Sequence, residues 1–292
     1  MAIQALQSPE QVRTALKGWR GQGLSVGFVP TMGALHEGHV SLVRASVAEC
    51  SRTVVSIYVN PTQFPQGEDL GKYPRRLEKD CELLEQAGAD LVFAPNDQVM
   101  YPEGFCTYVV QEKLTERLCG AFRPGHFRGV LTVVLKLLNI VPADRAYFGR
   151  KDFQQTVVIR RMVADLNLPV EILVQPTVRE KDGLAMSSRN EYLTPEQRKQ
   201  AVCLYEALSA ARRLYRAGER SAAPLIKEME HVIARSPGAR PQYVEIVSPD
   251  SLAPVEEATD DSVAALAVFV GGVRLIDNMP LGECDDIFLG KT

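Results

Sequence analysis

The sequence is short of the features that mark membrane, secreted and nucleic-acid-binding chains. Its longest strongly apolar run, residues 130–141, is interrupted by Lys136 and Asn139 and falls short of the roughly 18 residues of a membrane span. Residues 1–10 lack a charged segment followed by an apolar core, so no signal peptide is expected. An excess of one charge is missing too: 33 Lys and Arg face 36 Asp and Glu, a formal net charge of −3. Without a broad basic field, stable binding of a nucleic-acid backbone is not expected. The six cysteines, Cys50, Cys81, Cys106, Cys119, Cys203 and Cys284, are scattered and form no C-x-x-C pair. That argues against a zinc site or a disulfide framework and for free thiols in the cytoplasm. Histidine is scarce, with four residues, and neither G-x-x-x-x-G-K nor G-x-G-x-x-G occurs.

What remains is an ordinary globular balance, 46% hydrophobic and 24% charged, far from the composition of a disordered chain. A length of 292 residues favours two domains or one large α/β unit. The first two-thirds alternate strand-like runs (24–29, 53–59, 90–94, 146–148, 170–174) with helical patterns (40–50, 75–86, 129–140, 152–166). This alternation predicts an α/β fold, a Rossmann-like doubly wound parallel sheet. After Pro176 the character changes. Residues 178–189 read as a polar loop, and Thr194-Pro195-Glu196-Gln197 reads as a helix start. Two helical stretches follow to about residue 235, then strand-like runs at 243–247 and 264–270 that end in Gly271-Gly272. The expectation is a nucleotide-binding domain over residues 1–177 and a smaller C-terminal α+β domain over 178–292.

The first signal of chemistry is the segment from Pro30 to His39, Pro-Thr-Met-Gly-Ala-Leu-His-Glu-Gly-His. A strand ends at Val29, a glycine-bearing turn follows, and a helix begins near Gly38. In an open α/β sheet, ligands bind at the carboxyl ends of strands. A helix start there offers unpaired N–H groups and a positive dipole end to phosphates. Gly33 and Gly38 would let the backbone come close to a ligand. His36 and His39 are three residues apart, so both can face one way and donate hydrogen bonds to phosphate oxygens. The same pair could instead be capping or core histidines. A metal role would need further ligands, and His126, His231 and the scattered cysteines do not provide a cluster.

Other segments add cations and polar groups. Gly149-Arg150-Lys151-Asp152-Phe153-Gln154-Gln155 lies at a second strand-to-helix junction, where Lys151 could reach a phosphate and Gln155 would share a helix face with Asp152. Asp152 could equally be a plain helix cap, and Lys151 a solvated surface residue. In the segment 182–190, Ser187, Ser188 and Arg189 could bind phosphate oxygens, the arginine by a bidentate fork. That segment could also be a surface turn, or a loop that closes over a nucleotide. Asn60-Pro61-Thr62-Gln63-Phe64 and the segment Arg123 to Gly129 look like substrate contacts. Gln63 could hold a small polar acid through its amide.

Taken in order, V-P-T-M-G-A-L-H-E-G-H, V-N-P-T-Q-F, R-P-G-H-F-R-G-V, G-R-K-D-F-Q-Q and D-G-L-A-M-S-S-R-N closely resemble the pantothenate synthetase (pantoate–β-alanine ligase) family. The resemblance continues weakly to Arg274-Leu275-Ile276-Asp277-Asn278. The H-x-G-H segment also looks like the signature of the wider nucleotidyltransferase superfamily, and M-S-S-R resembles its K-M-S-K-S counterpart. The resemblance implies ATP-dependent condensation of pantoate with β-alanine through a pantoyl adenylate, with Mg²⁺ accompanying ATP and a homodimer as the assembly. It places Met32, Gly33, Ala34, Leu35, His36, Glu37, Gly38, His39, Gly149, Arg150, Lys151, Asp152, Val178, Met186, Ser187, Ser188 and Arg189 against ATP. It gives pantoate to Gln63 and Gln155, sets Gln63 near β-alanine, and makes His39 the proton donor. Asn60 and Arg123 are further candidate substrate contacts, and His36, His39 and Lys151 the candidate catalytic residues. Arg150 stands where the family more often has Glu. The rival expectations are another adenylyl or cytidylyl transferase on the same fold, or a catalytically silent nucleotide-binding module.

Overall fold

The computed structural model describes residues 3–290 and divides the chain into two compact units. The first comprises residues up to Glu112 together with Arg123–Gly149 and Val158–Gln175. Its centre is a six-stranded parallel sheet of β1 (Gln4–Leu6), β2 (Val26–Thr31), β3 (Arg52–Ile57), β4 (Leu91–Phe93), β5 (Arg145–Gly149) and β6 (Glu171–Gln175). The order is β1-β4-β3-β2-β5-β6. From β2 the chain winds outward through β3 and β4, then crosses back to β5 on the other side. Phe28 of β2 pairs with Ala146 of β5. The switch point therefore lies between β2 and β5, where an open α/β sheet binds its ligands. The Rossmann-like sheet read from the alternation is present.

The strands form where β-branched and aromatic side chains run together. Phe28, Val29, Val54, Val55, Val92, Phe93 and Tyr147 are all fully buried, as strands covered on both faces must be. The helix Glu37–Glu49 lies close against β2. A Cβ at Gly27 would stand 2.1 Å from Ser46 Oγ, and that hydroxyl meets Thr53 Oγ1 at 2.8 Å. Two elements near the start of the chain were not anticipated. β1 is only three residues long, and the helix Pro9–Gly21, opened by a Ser8–Gln11 capping box, buries only Val12 and Leu16. So narrow an apolar stripe gives little periodic signal.

The second unit contains Lys113–Phe122, Arg150–Val157 and the chain from Pro176 onward. The last stretch begins just before the expected boundary, while the two earlier ones are marked by no change of composition. Strands β8 (Ala239–Val247), β9 (Val263–Val270) and β10 (Val273–Pro280) form an antiparallel sheet in the order β10-β9-β8. Helices Cys203–Arg216 and Ala222–Ala234 share a core with it, including Leu204, Leu208, Leu225, Met229, Ile233, Leu266 and Val268. Gly271 and Gly272, with φ of 56° and 87°, make the two-residue turn of a hairpin between β9 and β10. β10 went unread because Asp277 and Asn278 interrupt its alternation.

Two further expectations change. The segment 178–189 is not simply a loop: β7 (Val178–Arg179) pairs in parallel with β11 (Ile287–Phe288), and Arg179 bridges Ala185. The two helical stretches after Thr194 are three, since Pro195–Ala201 and Cys203–Arg216 are separate helices.

Candidate functional site

At the end of β2, Thr31 Oγ1 donates to Ser56 O at 2.7 Å and accepts from Gly33 N at 3.2 Å. Gly33 and Ala34 then both take left-handed backbone, with φ of 77° and 51°. For alanine that conformation is strained. It is held by Asp80, whose two carboxylate oxygens accept from Ala34 N and Leu35 N, each at 2.9 Å. Asp80 lies in the helix Leu77–Ala87 and is 2% exposed. Burial pushes its carboxyl above the ordinary value, against the two amides that pull it down. Sequence reading missed Asp80, because one acidic residue in a polar-faced helix carries no local sign that it is buried.

The helix Glu37–Glu49 opens with His36 as its cap. Gly38 N donates to His36 Nδ1 at 3.2 Å, and His36 N donates to His39 Nδ1 at 3.3 Å. The two rings lie 4.1 Å apart. This corrects one premise. The amides of Gly33, Ala34, Leu35, His36 and Gly38 are engaged by Thr31, Asp80 and the histidines themselves, so they are not a row of unpaired donors awaiting phosphate. It also fixes the rings. Each Nδ1 accepts a backbone N–H, so each neutral imidazole carries its proton on Nε2. The pair is at once a cap and a pair of Nε2–H donors.

Beyond β3, Asn60 caps the turn Pro61–Gln63. Its Nδ2 donates to Gln63 Oε1 at 3.0 Å and to Gly129 O at 3.2 Å, while Tyr101 Oη donates to Asn60 Oδ1 at 2.9 Å. Gln63, 9% exposed, turns its Nε2 toward Met32 Sδ at 3.0 Å, so the turn and the first motif meet here. A thioether is a weak acceptor, readily exchanged for a ligand oxygen. Gly129 is required beside this turn, since a Cβ there would lie 2.3 Å from Thr62 O.

Arg123, a candidate substrate contact, is engaged by neighbouring side chains. Its Nε and Nη2 donate to both Glu68 oxygens at 2.7 and 2.6 Å, and its Nη1 donates to His126 Nε2 at 2.8 Å. His126 then donates from Nδ1 to Gln63 O at 2.7 Å. Arg123 thus braces the Gln63 turn through a histidine, and its side chain is only 10% exposed. Asn60, whose side-chain atoms bond to Gln63, Gly129 and Tyr101, likewise supports the Gln63 turn.

In the second unit, Arg150–Asp152 form a single 3-10 turn leading into the helix Phe153–Asp165. Lys151 Nζ stands 3.7 Å from Asp152 Oδ1, and Gln155 is half-buried. Gln154 is committed to scaffold, donating to Leu114 O and Arg117 O at 2.8 Å each. Val178 is buried in β7, and its carbonyl accepts from Met186 N at 3.0 Å. Ser187 caps the turn Ser188–Tyr192 by accepting from Arg189 N at 3.3 Å. Asn190 Nδ2 fastens the same turn to Ala185 O at 3.1 Å. The candidate residues are thus distributed over both units: the histidine turn and Gln63 in the first, Lys151, Gln155 and the serine–arginine turn in the second.

A parallel sheet that presents a histidine-capped helix at its switch point has the arrangement with which open α/β proteins bind their ligands. The chain belongs to the Pantoate-beta-alanine ligase family, which it matches over residues 4–280. It is 56% identical to pantothenate synthetase of Moorella thermoacetica, over 96% of this chain and 99% of that protein. The crystal structure of pantothenate synthetase from Thermus thermophilus superposes with a TM-score of 0.91 at 46% identity, covering 96% of this chain and 100% of that one. The pantoate-beta-alanine ligase of Francisella tularensis, solved in complex with beta-gamma ATP and beta-alanine, matches with a TM-score of 0.80 at 34% identity, over 96% and 98% of the two chains. The chain is a ligase of pantothenate biosynthesis.

Proposed function

We propose that this enzyme joins pantoate to β-alanine at the expense of ATP through a pantoyl-adenylate intermediate. A pantoate carboxylate oxygen attacks the α-phosphorus, an O–P bond forms, and the α–β bridging bond breaks to release pyrophosphate. The free amine of β-alanine then attacks the acyl carbon. A C–N bond forms, the C–O bond to AMP breaks, and the amine gives up a proton. Neither step needs a protein nucleophile. Catalysis of this kind rests on positioning and on stabilising developing charge.

The observation that carries the reading is the pair of capping bonds in which backbone N–H groups donate to Nδ1 of His36 and of His39, an arrangement that puts the proton of a neutral ring on Nε2. Both are then donors suited to charge developing on the phosphates, with His39 the proposed proton donor. Met32 to His39, Gly149 to Asp152, Val178 and Met186 to Arg189 are the proposed ATP contacts, with Lys151 and Arg189 supplying cationic donors. Gln63 and Gln155 are proposed to hold pantoate, since an uncharged amide orients a carboxylate without protonating it. Mg²⁺ enters with ATP. Among the described residues no three His, Cys, Asp or Glu gather to hold a metal ion, and Mg²⁺ on a triphosphate keeps several waters and needs no such cage. We further infer a homodimer working in the cytoplasm, in keeping with the free cysteines. Among the described residues no helix is long and apolar enough to cross a membrane.

The cap suggests a sharper test than alanine. His39→Asn places an amide oxygen near the position of Nδ1, keeping an acceptor for His36 N while removing the Nε2 donor. We expect His39→Asn and Lys151→Ala to melt near wild type yet lose pantoate-dependent ATP–pyrophosphate exchange by roughly 10²–10³-fold. Exchange at the wild-type rate in either variant would remove that residue from the chemistry. Exchange supported equally by unrelated acids would favour another adenylyl transferase, and ATP binding without any AMP formation would favour a silent binding module.

A further inference from the structure

Asp286 stands between two arginines of the second unit. Its Oδ1 accepts from Arg150 Nη2 at 2.9 Å, and its Oδ2 accepts from Arg179 Nε at 2.5 Å. The side chains are 4% exposed for Asp286, 0% for Arg179 and 19% for Arg150, so solvent screens these pairs little. Arg150 also pairs with Asp285, but that carboxylate is 65% exposed and an exposed pair contributes little on its own.

Each arginine is built into a segment that the proposed function gives to the triphosphate. Arg150 directly precedes Lys151, and the carbonyl oxygens of both accept from the Asn278 side-chain amide at 2.9 Å each. Arg179 Nη1 donates to Gly183 O at 3.1 Å, and Arg179 bridges Ala185, next to Met186. Asp277 takes the remaining face of the Arg179 guanidinium with bonds of 2.7 and 3.1 Å. Asn278 also links the two, its carbonyl accepting from Arg179 Nη2 at 3.3 Å and its side-chain amide donating to the Arg150 carbonyl. Among the described residues, however, Asp286 is the carboxylate that pairs with both guanidinium groups, and the short pairing of β11 with β7 delivers it there.

We propose that Asp286 is a positioning residue: through Arg150 and Arg179 it holds the Lys151 segment and the Met186–Arg189 segment in one frame. It touches no reacting atom. Its effect on the reaction rests on the reading that both segments bind ATP, but its effect on the two segments does not. A carboxylate that receives one guanidinium on each oxygen fixes the separation between them. Together with the Asn278 amide on the Arg150 and Lys151 carbonyls, this limits the drift of Lys151 relative to the serine–arginine turn. A misplacement of about 1 Å at a reacting centre costs on the order of 10²-fold in rate.

The test pairs two measurements on Asp286→Asn, Asp286→Glu and Arg150→Gln. Amide hydrogen exchange of the unliganded enzyme reads the frame directly, and pantoate-dependent ATP–pyrophosphate exchange reads its consequence. We expect Asp286→Asn to speed amide exchange in residues 149–152 and 183–189 together, to raise KM for ATP and to lower kcat by roughly 10–100-fold. Asp286→Glu, which keeps both acceptors, should recover part of the loss. Arg150→Gln leaves Arg179 with both of its carboxylates and so should fold even if Asp286→Asn does not. It should loosen 149–152 and raise KM for ATP. Faster amide exchange in only one segment of Asp286→Asn, or unchanged kcat and KM, would overturn the positioning role. A lower KM for ATP in Asp286→Asn would also overturn it, showing that the carboxylate instead withholds Arg150 from the triphosphate. Coupled loosening in a chain whose wild type supports no pantoate-dependent turnover would sink the proposed function and leave the frame standing.

Discussion

Asp80 occupies a place where a carboxylate is costly. It is 2% exposed, yet its two oxygens take the amides of Ala34 and Leu35 and hold a left-handed alanine at the head of the histidine turn. Burial raises its carboxyl above the ordinary value of 3.8. The folded chain therefore keeps this proton to higher pH than the unfolded chain does. Stability from this group is fullest below the unfolded value, falls as pH rises through the raised folded value, and then levels off. An asparagine at 80 has no such slope. The difference in unfolding free energy, wild type minus Asp80→Asn, should thus shrink as pH rises above the unfolded value in denaturant titrations; growth over that rise would show that the group is not raised. The variant should also lose activity. An asparagine turns an N–H toward one of the two loop amides, and a buried donor left without its acceptor costs about 1–3 kcal/mol. Pantoate-dependent exchange that matches wild type at saturating ATP would show that the turn keeps its shape without the carboxylate.

At the scale of elements, what was legible is what neighbouring residues settle among themselves. Thr194-Pro195-Glu196-Gln197 reads as a helix start, and the structure closes it as a capping box, with Thr194 N to Gln197 Oε1 at 3.0 Å and Gln197 N to Thr194 Oγ1 at 3.3 Å. The histidine turn was legible for the same reason, since strand, glycine and histidines adjoin. β7 was not, because its partner β11 lies far along the chain and two residues make no period. Asp80 and the Glu68–Arg123 pair escaped too, because each answers to a segment distant in sequence. Residue type alone left Gly27 unexplained, although the approach of the helix Glu37–Glu49 to β2 depends on it. Gly27→Ala should destabilise by about 1–3 kcal/mol, the usual scale of overpacking. The cost should fall in a Ser46→Gly background, where the clashing hydroxyl is gone. Equal costs in both backgrounds, measured as a double-mutant cycle by thermal unfolding, would place the strain elsewhere.

On the scale of the whole molecule, the division of the chain into two units raises the question of what the last segment needs in order to stand. In the second unit, Leu118, Val247, Leu252, Val263 and Ala265 form one buried cluster, with Leu114, Phe153, Val157 and Tyr243 packed against it. Four of these nine come from segments 113–122 and 150–157. A fragment cut at the change of composition, residues 178–292, would lack them and uncover Val247, Leu252 and Val263. Leaving such side chains in water costs about 1.5–3 kcal/mol each, against a net stability of only about 5–15 kcal/mol for a typical folded chain. The larger core of Leu204, Leu208, Leu225, Met229 and Ile233 against β9 stays whole in that fragment. We therefore expect it to keep its helix signal while melting broadly and binding an apolar dye. Replacing Val247 and Val263 with threonine should reduce the dye binding, because it removes the newly bared apolar surface. A sharp transition near that of the full chain, with no dye bound, would mean that the segments 113–122 and 150–157 lie against this unit without supporting it.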